Sequence, residues 1–150
     1  MLTTKARYAV MAVIDMAYSV NKEQPITLAD ISLRQNIALS YLEQIFNKLK
    51  KAGIVKAIKG PGGGYLLTDY NFEIARIIDA VEENLEMTRC NNRSNNGCMP
   101  DNTKCSTHHL WEGLNYQIRD YFNRVTITDI VSGKLKNEVE NLHQKVLSAV

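Results

Sequence analysis

Between Ile54 and Thr68 the chain runs Ile54-Val55-Lys56-Ala57-Ile58-Lys59, then Gly60-Pro61-Gly62-Gly63-Gly64, then Tyr65-Leu66-Leu67-Thr68. Two short β-forming runs flanking so many glycines predict a strand, a tight turn and a second strand. Glycine supplies the positive φ angles that such a turn requires. A nucleotide-binding loop is excluded on two grounds: no Gly-Lys-Ser/Thr closes the run, and Tyr65-Leu66-Leu67 is strand-like, whereas the phosphate and dinucleotide fingerprints both open a helix.

The hairpin comes after three helical patterns. Thr3 or Thr4 can cap a first helix reaching about Tyr18, with Ala6, Val10, Val13, Ile14 and Ala17 at helical spacing. Gln24-Pro25 ends that pattern, and Thr27 starts a second helix, Leu28 to Arg34, with Asp30 in the first turn where the helix dipole favours it. After a turn at Gln35-Asn36, Ser40-Tyr41-Leu42-Glu43 has the form of a capping box, and Leu42, Ile45, Phe46 and Leu49 make an apolar stripe that ends before Gly53. Helix, turn, helix and basic hairpin is the order of a winged helix-turn-helix. The opposite face of the Ser40 helix offers Tyr41, Glu43, Gln44, Asn47, Lys48 and Lys51, groups able to contact bases and phosphates. Glu43 repels phosphate and suits discrimination rather than affinity. The glycine backbone of the wing can approach phosphates closely, with Lys59 beside it.

Charge agrees with this division. Residues 1–70 hold nine Lys/Arg against five Asp/Glu, whereas residues 71–150 hold nine against eleven, so the basic half is the one with the hairpin. No apolar run approaches the roughly 18 residues of a membrane span, and the N-terminal residues lack the pattern of a signal peptide. The expectation is a cytoplasmic, non-membrane protein.

Downstream, Ile74, Ile77, Ile78, Val81 and Leu85 predict a connecting helix from Phe72 to about Leu85. The polar stretch from Met87 to Thr107 then carries all three cysteines of the chain and leads into a histidine pair: Cys90, Cys98, Cys105, His108 and His109. Three cysteines in a reducing compartment argue for metal binding or redox sensing rather than a disulfide framework. Such a polar loop needs something to tie it down, and three thiolates with an imidazole would do so. A nucleophilic cysteine would need one thiolate with an adjacent base in a structured pocket, so the chain is not expected to be an enzyme. Cys105 and His108, three apart, can share one side of a helix start, where the dipole favours a thiolate; His109 points elsewhere. A Cys3His set satisfies tetrahedral zinc and equally a 2Fe-2S cluster, although zinc sites usually contain a tight Cys pair and these ligands are widely spread. Beyond the loop, Leu110, Leu114, Ile118, Tyr121 and Val125, with Trp111 and Phe122, form a broad apolar helix that predicts a partner helix from a second copy. Thr126 to Val131 predicts a short closing segment, and the tail has a weak amphipathic pattern. The expected organisation is residues 1–70 as DNA-binding domain, 71–86 connecting helix, 87–107 cluster-binding loop, 108–131 dimerisation helix and closing segment, and 132–150 tail.

Several longer strings carry a resemblance: Thr4-Lys5-Ala6-Arg7-Tyr8-Ala9-Val10, Leu28-Ala29-Asp30-Ile31-Ser32, Leu39-Ser40-Tyr41-Leu42-Glu43-Gln44, Gly60 to Leu67, Thr88-Arg89-Cys90, and Cys105-Ser106-Thr107-His108 with Leu110-Trp111. Over residues 1 to about 131 the chain resembles the winged-helix bacterial transcription regulators of iron-sulfur cluster assembly. The resemblance implies a homodimer on operator DNA and a 2Fe-2S cluster held by Cys90, Cys98, Cys105 and His108. It also implies repression of cluster-biogenesis genes in the loaded state and a cluster-donating assembly machinery as partner. Combined with the exposed helix face and wing, it gives an expected DNA-binding set of Thr4, Lys5, Leu39, Ser40, Tyr41, Glu43, Gln44, Lys48, Lys59, Gly60, Pro61 and Gly62. The cysteine intervals of seven and six residues exceed those usual in these regulators. Lys59 stands where they often carry arginine, and lysine lacks its planar fork. A nitric-oxide or redox sensor of the same fold, and a zinc-stabilised protein, are the competing expectations.

Overall fold

The computed structural model describes residues 3–82, 85–86 and 97–149. Its elements are α1 (Thr4–Ala17), α2 (Leu28–Gln35), α3 (Leu39–Lys51), β1 (Val55–Ile58), β2 (Gly64–Leu67), α4 (Ile74–Ala80), α5 (His108–Arg124), α6 (Ile127–Val131) and α7 (Lys134–Ser148). The fold is mainly α with a two-stranded hairpin, the winged helix-turn-helix expected.

At the centre lies α1, touching α2, α3, α4, α6 and β2. Its buried face, Ala6, Ala9, Ala12, Val13, Met16 and Ala17, is mostly alanine, so neighbouring elements can approach the helix closely. On α2, Thr27 accepts the Asp30 N–H as a side-chain cap, and Asn36 in the left-handed region (φ 52°) ends the helix. Asp15 of α1 ties α2 down through Arg34 (2.7 Å) and Gln35 (2.7 Å).

Two helix boundaries differ from the sequence expectation. The third helix does not begin with a Ser40 capping box: Ala38 is the N-cap, no side chain caps the helix, and Ser40 lies within its first turn. Ile37 is buried and its carbonyl accepts from Ser32 Oγ (2.6 Å), which fixes the turn so that the helix starts earlier. The connecting helix is also shorter than Phe72–Leu85, because α4 stops at Ala80 and Glu82 takes φ 59°. Val81 and Leu85 are buried as the periodicity requires, but without continuing the helix.

In the hairpin, β1 pairs antiparallel with β2 from Val55↔Leu67 to Ile58↔Gly64. Tyr65 also exchanges two backbone bonds with Ile26 (2.8 and 2.9 Å). At Gly64 (φ 152°) a Cβ would meet the Ile26 carbonyl oxygen at 2.5 Å, so only glycine permits this approach. Phe46 of α3 meets Tyr65 edge-on, ring centroids 4.9 Å apart, which sets the wing against the third helix.

Residues 72–74 and 125–127 bond reciprocally, Ile74 N–H to Val125 O (2.9 Å) and Ile127 N–H to Phe72 O (3.0 Å), returning the chain from α5 to the core. Between them, Arg119 of α5 makes a two-pronged pair with Asp79 at the end of α4 (2.7 and 2.6 Å). A capping box, Thr126 with Asp129, starts α6. α7 buries none of its residues. No helix among the described residues is long and apolar enough to cross a membrane.

Candidate nucleic-acid interface and metal centre

Leu42, Ile45, Phe46 and Leu49 bury one side of α3. That burial turns Leu39, Ser40, Glu43, Gln44 and Asn47 outward, all exposed. Tyr41 differs from its neighbours: its ring is half-buried and stands edge-on to Tyr8 (5.8 Å), so much of it serves packing between α3 and α1. Thr4 is exposed at the start of α1. In the wing, Lys59, Gly60, Pro61 and Gly62 are exposed at the hairpin tip, closed by the Gly63 N–H to Gly60 O bond (2.9 Å).

Lys48, half-buried on α3, bonds the carboxylate of Glu82. The pair holds Glu82 below the usual carboxylate range, and Lys5 and Lys51 act on it in the same direction. Lys5, Lys48 and Lys51 therefore form one basic patch that joins the start of α1 to α3. Sequence reasoning missed Glu82, because its partner is 34 residues away and no local pattern connects them.

Residues 97–107 lead into α5 through a hydrogen-bonded turn. Gly97 N–H donates to Asn102 Oδ1 (2.8 Å), Met99 N–H to Thr103 O (3.1 Å), and Asp101 Oδ1 accepts from the Thr103 hydroxyl (2.7 Å) and N–H (3.1 Å). A Cβ at Gly97 would collide with the carbonyl oxygens of Thr103 and Asn102, so this turn requires glycine. These bonds hold residues 97–103 in one turn.

The turn brings Cys98 Sγ to 3.4 Å from His108 Nδ1, while the Cys105 N–H donates to Cys98 Sγ (3.0 Å). Cys105 Sγ is 3.6 Å from Thr107 Oγ1, and that hydroxyl accepts from Trp111 Nε1 (3.2 Å). His108 is 2 % exposed, and its Nε2 is buried with no hydrogen-bond partner. His108 thus faces the Cys98 sulfur with Nδ1 and leaves Nε2 buried without a partner, a nitrogen free to take a ligand. The N-terminus of α5 adds a field that favours thiolates. His109 turns away and pairs with Glu112 (3.0 Å), as its place one step round the helix requires. The structure thus brings the Cys98 sulfur to His108 and the Cys105 backbone to Cys98, while the Cys105 sulfur faces Thr107. Among the described residues no three His, Cys, Asp or Glu side chains are grouped to hold a metal ion, and Cys90 lies outside them. Thr107 and Glu112 were not among the expected residues; the spacing of Thr107 to Trp111, one helical turn, was the available signal.

Residues 2–133 match the family Rrf2, described as an iron-dependent transcriptional regulator. The chain belongs to the Rrf2 family. Relatives named HTH-type transcriptional regulator IscR include one from Vibrio cholerae, 45% identical over 140 residues, covering 92% of this chain and 77% of that protein. Another, from Pectobacterium carotovorum, is 47% identical over 135 residues, covering 89% and 80%. Among solved structures, CymR, the global cysteine regulator of B. subtilis, aligns with a TM-score of 0.73 at 25% identity over 88% of this chain and 96% of that one. IscR of T. potens aligns with a TM-score of 0.70 at 28% identity over 89% and 88%. These relatives are regulators rather than enzymes, and as an Rrf2 protein the chain is a transcriptional regulator.

Proposed function

We propose that this Rrf2 protein is an iron-sulfur-sensing repressor that binds operator DNA as a homodimer and lowers expression of cluster-biogenesis genes when loaded. The observation that supports the reading is the Cys98 sulfur 3.4 Å from buried His108 at the start of α5, with the other ring nitrogen of His108 unpartnered and Cys105 bonded to Cys98 through its N–H. Soft sulfur donors with one imidazole suit a 2Fe-2S group, and the wide spacing of the set suits it better than structural zinc. Cys90, Cys98, Cys105 and His108 would hold it, delivered by the cluster-assembly machinery. When bound, the group would supply sensitivity to iron, sulfide and oxidants.

The chain's own residues do the rest. His108 sits on the first turn of the helix whose other positions expose Leu110 (64 %), Trp111 (38 %), Leu114 (39 %) and Tyr121 (41 %). A stripe of large apolar side chains left to water favours a second copy, since each such side chain contributes about 1.5–3 kcal/mol when fully buried. The proposed ligand His108 and the proposed dimer stripe therefore share one helix, and Arg119–Asp79 connects that helix to α4. Gln44 and Glu43 on α3 present groups for base edges, and Lys5, Lys48, Lys51 and Lys59 present charge for phosphates. Thr4, Leu39, Ser40 and the Gly60-Pro61-Gly62 tip complete the contact surface.

The test compares the oxygen-free protein with a Cys90→Ala, Cys98→Ala, Cys105→Ala triple variant on promoter fragments of cluster-biogenesis genes. The reading expects tight, selective binding for the loaded protein and altered promoter preference for the variant; identical preference refutes it.

A further inference from the structure

At the end of α4 the chain turns through a left-handed residue, and that residue is glutamate. Glu82 has φ 59°, and its N–H donates to the Asp79 carbonyl (2.9 Å) in the bond that terminates the helix. Glycine or asparagine ordinarily fills such a position; a long side chain there is strained, and an observed outlier of this kind points to a use for the side chain. The use is visible: Glu82 Oε2 lies 2.5 Å from Nζ of Lys48 on α3. The glutamate side chain is 76 % exposed, so solvent and ions reach the pair and it adds little to fold stability. Its surroundings are basic, with Lys5 and Lys51 acting on the same carboxylate.

A carboxylate and a phosphate offer an ammonium group the same ligand, a charged oxygen that accepts a charge-assisted hydrogen bond. We propose that Glu82 is an internal competitor for DNA phosphate, occupying Lys48 so that the α3 patch binds any duplex more weakly than its lysines alone would. On DNA, either the Lys48–Glu82 bond breaks or Glu82 faces a polyanion, and both outcomes penalise backbone contact without regard to sequence. Lower backbone affinity leaves occupancy to depend on base contacts, which matters because non-specific sites vastly outnumber operators. The inference rests on the DNA-binding reading of α3 and concerns only residues of the described surface.

The experiment measures binding of the cluster-free protein to a random-sequence duplex by fluorescence anisotropy across a salt series, for the unsubstituted chain, Glu82→Gln, Lys48→Ala and the double variant. Glu82→Gln is expected to bind about two- to fivefold tighter at low salt, the range of an exposed ion pair. Its plot of log affinity against log salt should steepen by up to about 0.9, one further phosphate. In the Lys48→Ala background the same substitution should bring a clearly smaller gain, because only the repulsion between Glu82 and phosphate is then removed. Glu82→Asn, which suits the left-handed backbone, repeats the reading should Glu82→Gln disturb the fold. An unchanged affinity in a folded Glu82 variant overturns the proposal while leaving DNA binding intact. An equal gain without Lys48 also overturns it, by reducing the effect to net charge. Absence of duplex binding by the unsubstituted chain at low salt overturns both the proposal and the DNA-binding reading.

Discussion

Cys98 Sγ stands 3.4 Å from His108 Nδ1, joining the hydrogen-bonded turn of residues 97–103 to the first residue of α5. A group bound between them would pull on a turn that is already ordered and on a helix that carries an exposed apolar stripe.

Replacing His108 by alanine removes a buried ring and the proposed nitrogen ligand together. Cluster affinity, read as retention after desalting, should fall more than about a hundredfold, beyond the roughly 10–100-fold loss typical of an outer-shell change. Iron and sulfide per chain, followed with time, measure it. Full retention would assign the cluster a different fourth ligand and favour the nitric-oxide or redox-sensor reading.

Leu114→Asp places a charge in the middle of the α5 stripe. The dimer dissociation constant should rise about thirtyfold, the effect of losing a central contact of about 2 kcal/mol. Sedimentation equilibrium reads this directly, and Leu142→Asp on α7, where no residue is buried, is the comparison expected to move it little.

Asp129 carries a pH dependence of known sign. Bonds from Lys134 and from Thr126 hold its carboxyl down to about 2, against 3.8 for the ordinary group. A lowered folded-state pKa means stability that is present above 3.8 and lost as pH falls through about 2. The unsubstituted protein should therefore exceed Asp129→Asn in denaturant midpoint at neutral pH, and the difference should close between about pH 4 and pH 2.

Gln44→Ala should reduce discrimination between operator and random duplex, by about 1–3 kcal/mol if its amide spans a base edge. Lys59→Ala should weaken both and reduce the salt slope by about 0.9. Equal loss on both duplexes for Gln44→Ala would make it a phosphate contact.

The order of elements was legible because each depends on local chemistry: Thr27 caps α2, apolar residues at helical spacing bury one face of α3, and Gly64 permits the approach to Ile26. Boundaries set by long-range packing were not. Ser40 has the residue types of a cap, but the turn held by Ser32 and buried Ile37 starts the helix before it. The apolar period through Val81 and Leu85 says which side is buried, not whether the chain stays helical, and the left-handed Glu82 escapes it. For the site, composition singled out Cys98, Cys105 and His108 as candidates, of which the Cys98 sulfur and His108 lie in contact, while the Gly97–Thr103 turn that places Cys98 rests on backbone bonds with no sequence periodicity.

The most direct test of the central claim is an absorption spectrum of protein purified without oxygen, with iron, sulfide and zinc determined on the same sample. Sulfur-to-iron bands in the visible with two irons and two sulfides per chain are the expected result. A colourless protein holding one zinc per chain would contradict the account, making the Cys98–His108 contact structural and removing iron-sulfur sensing from its function.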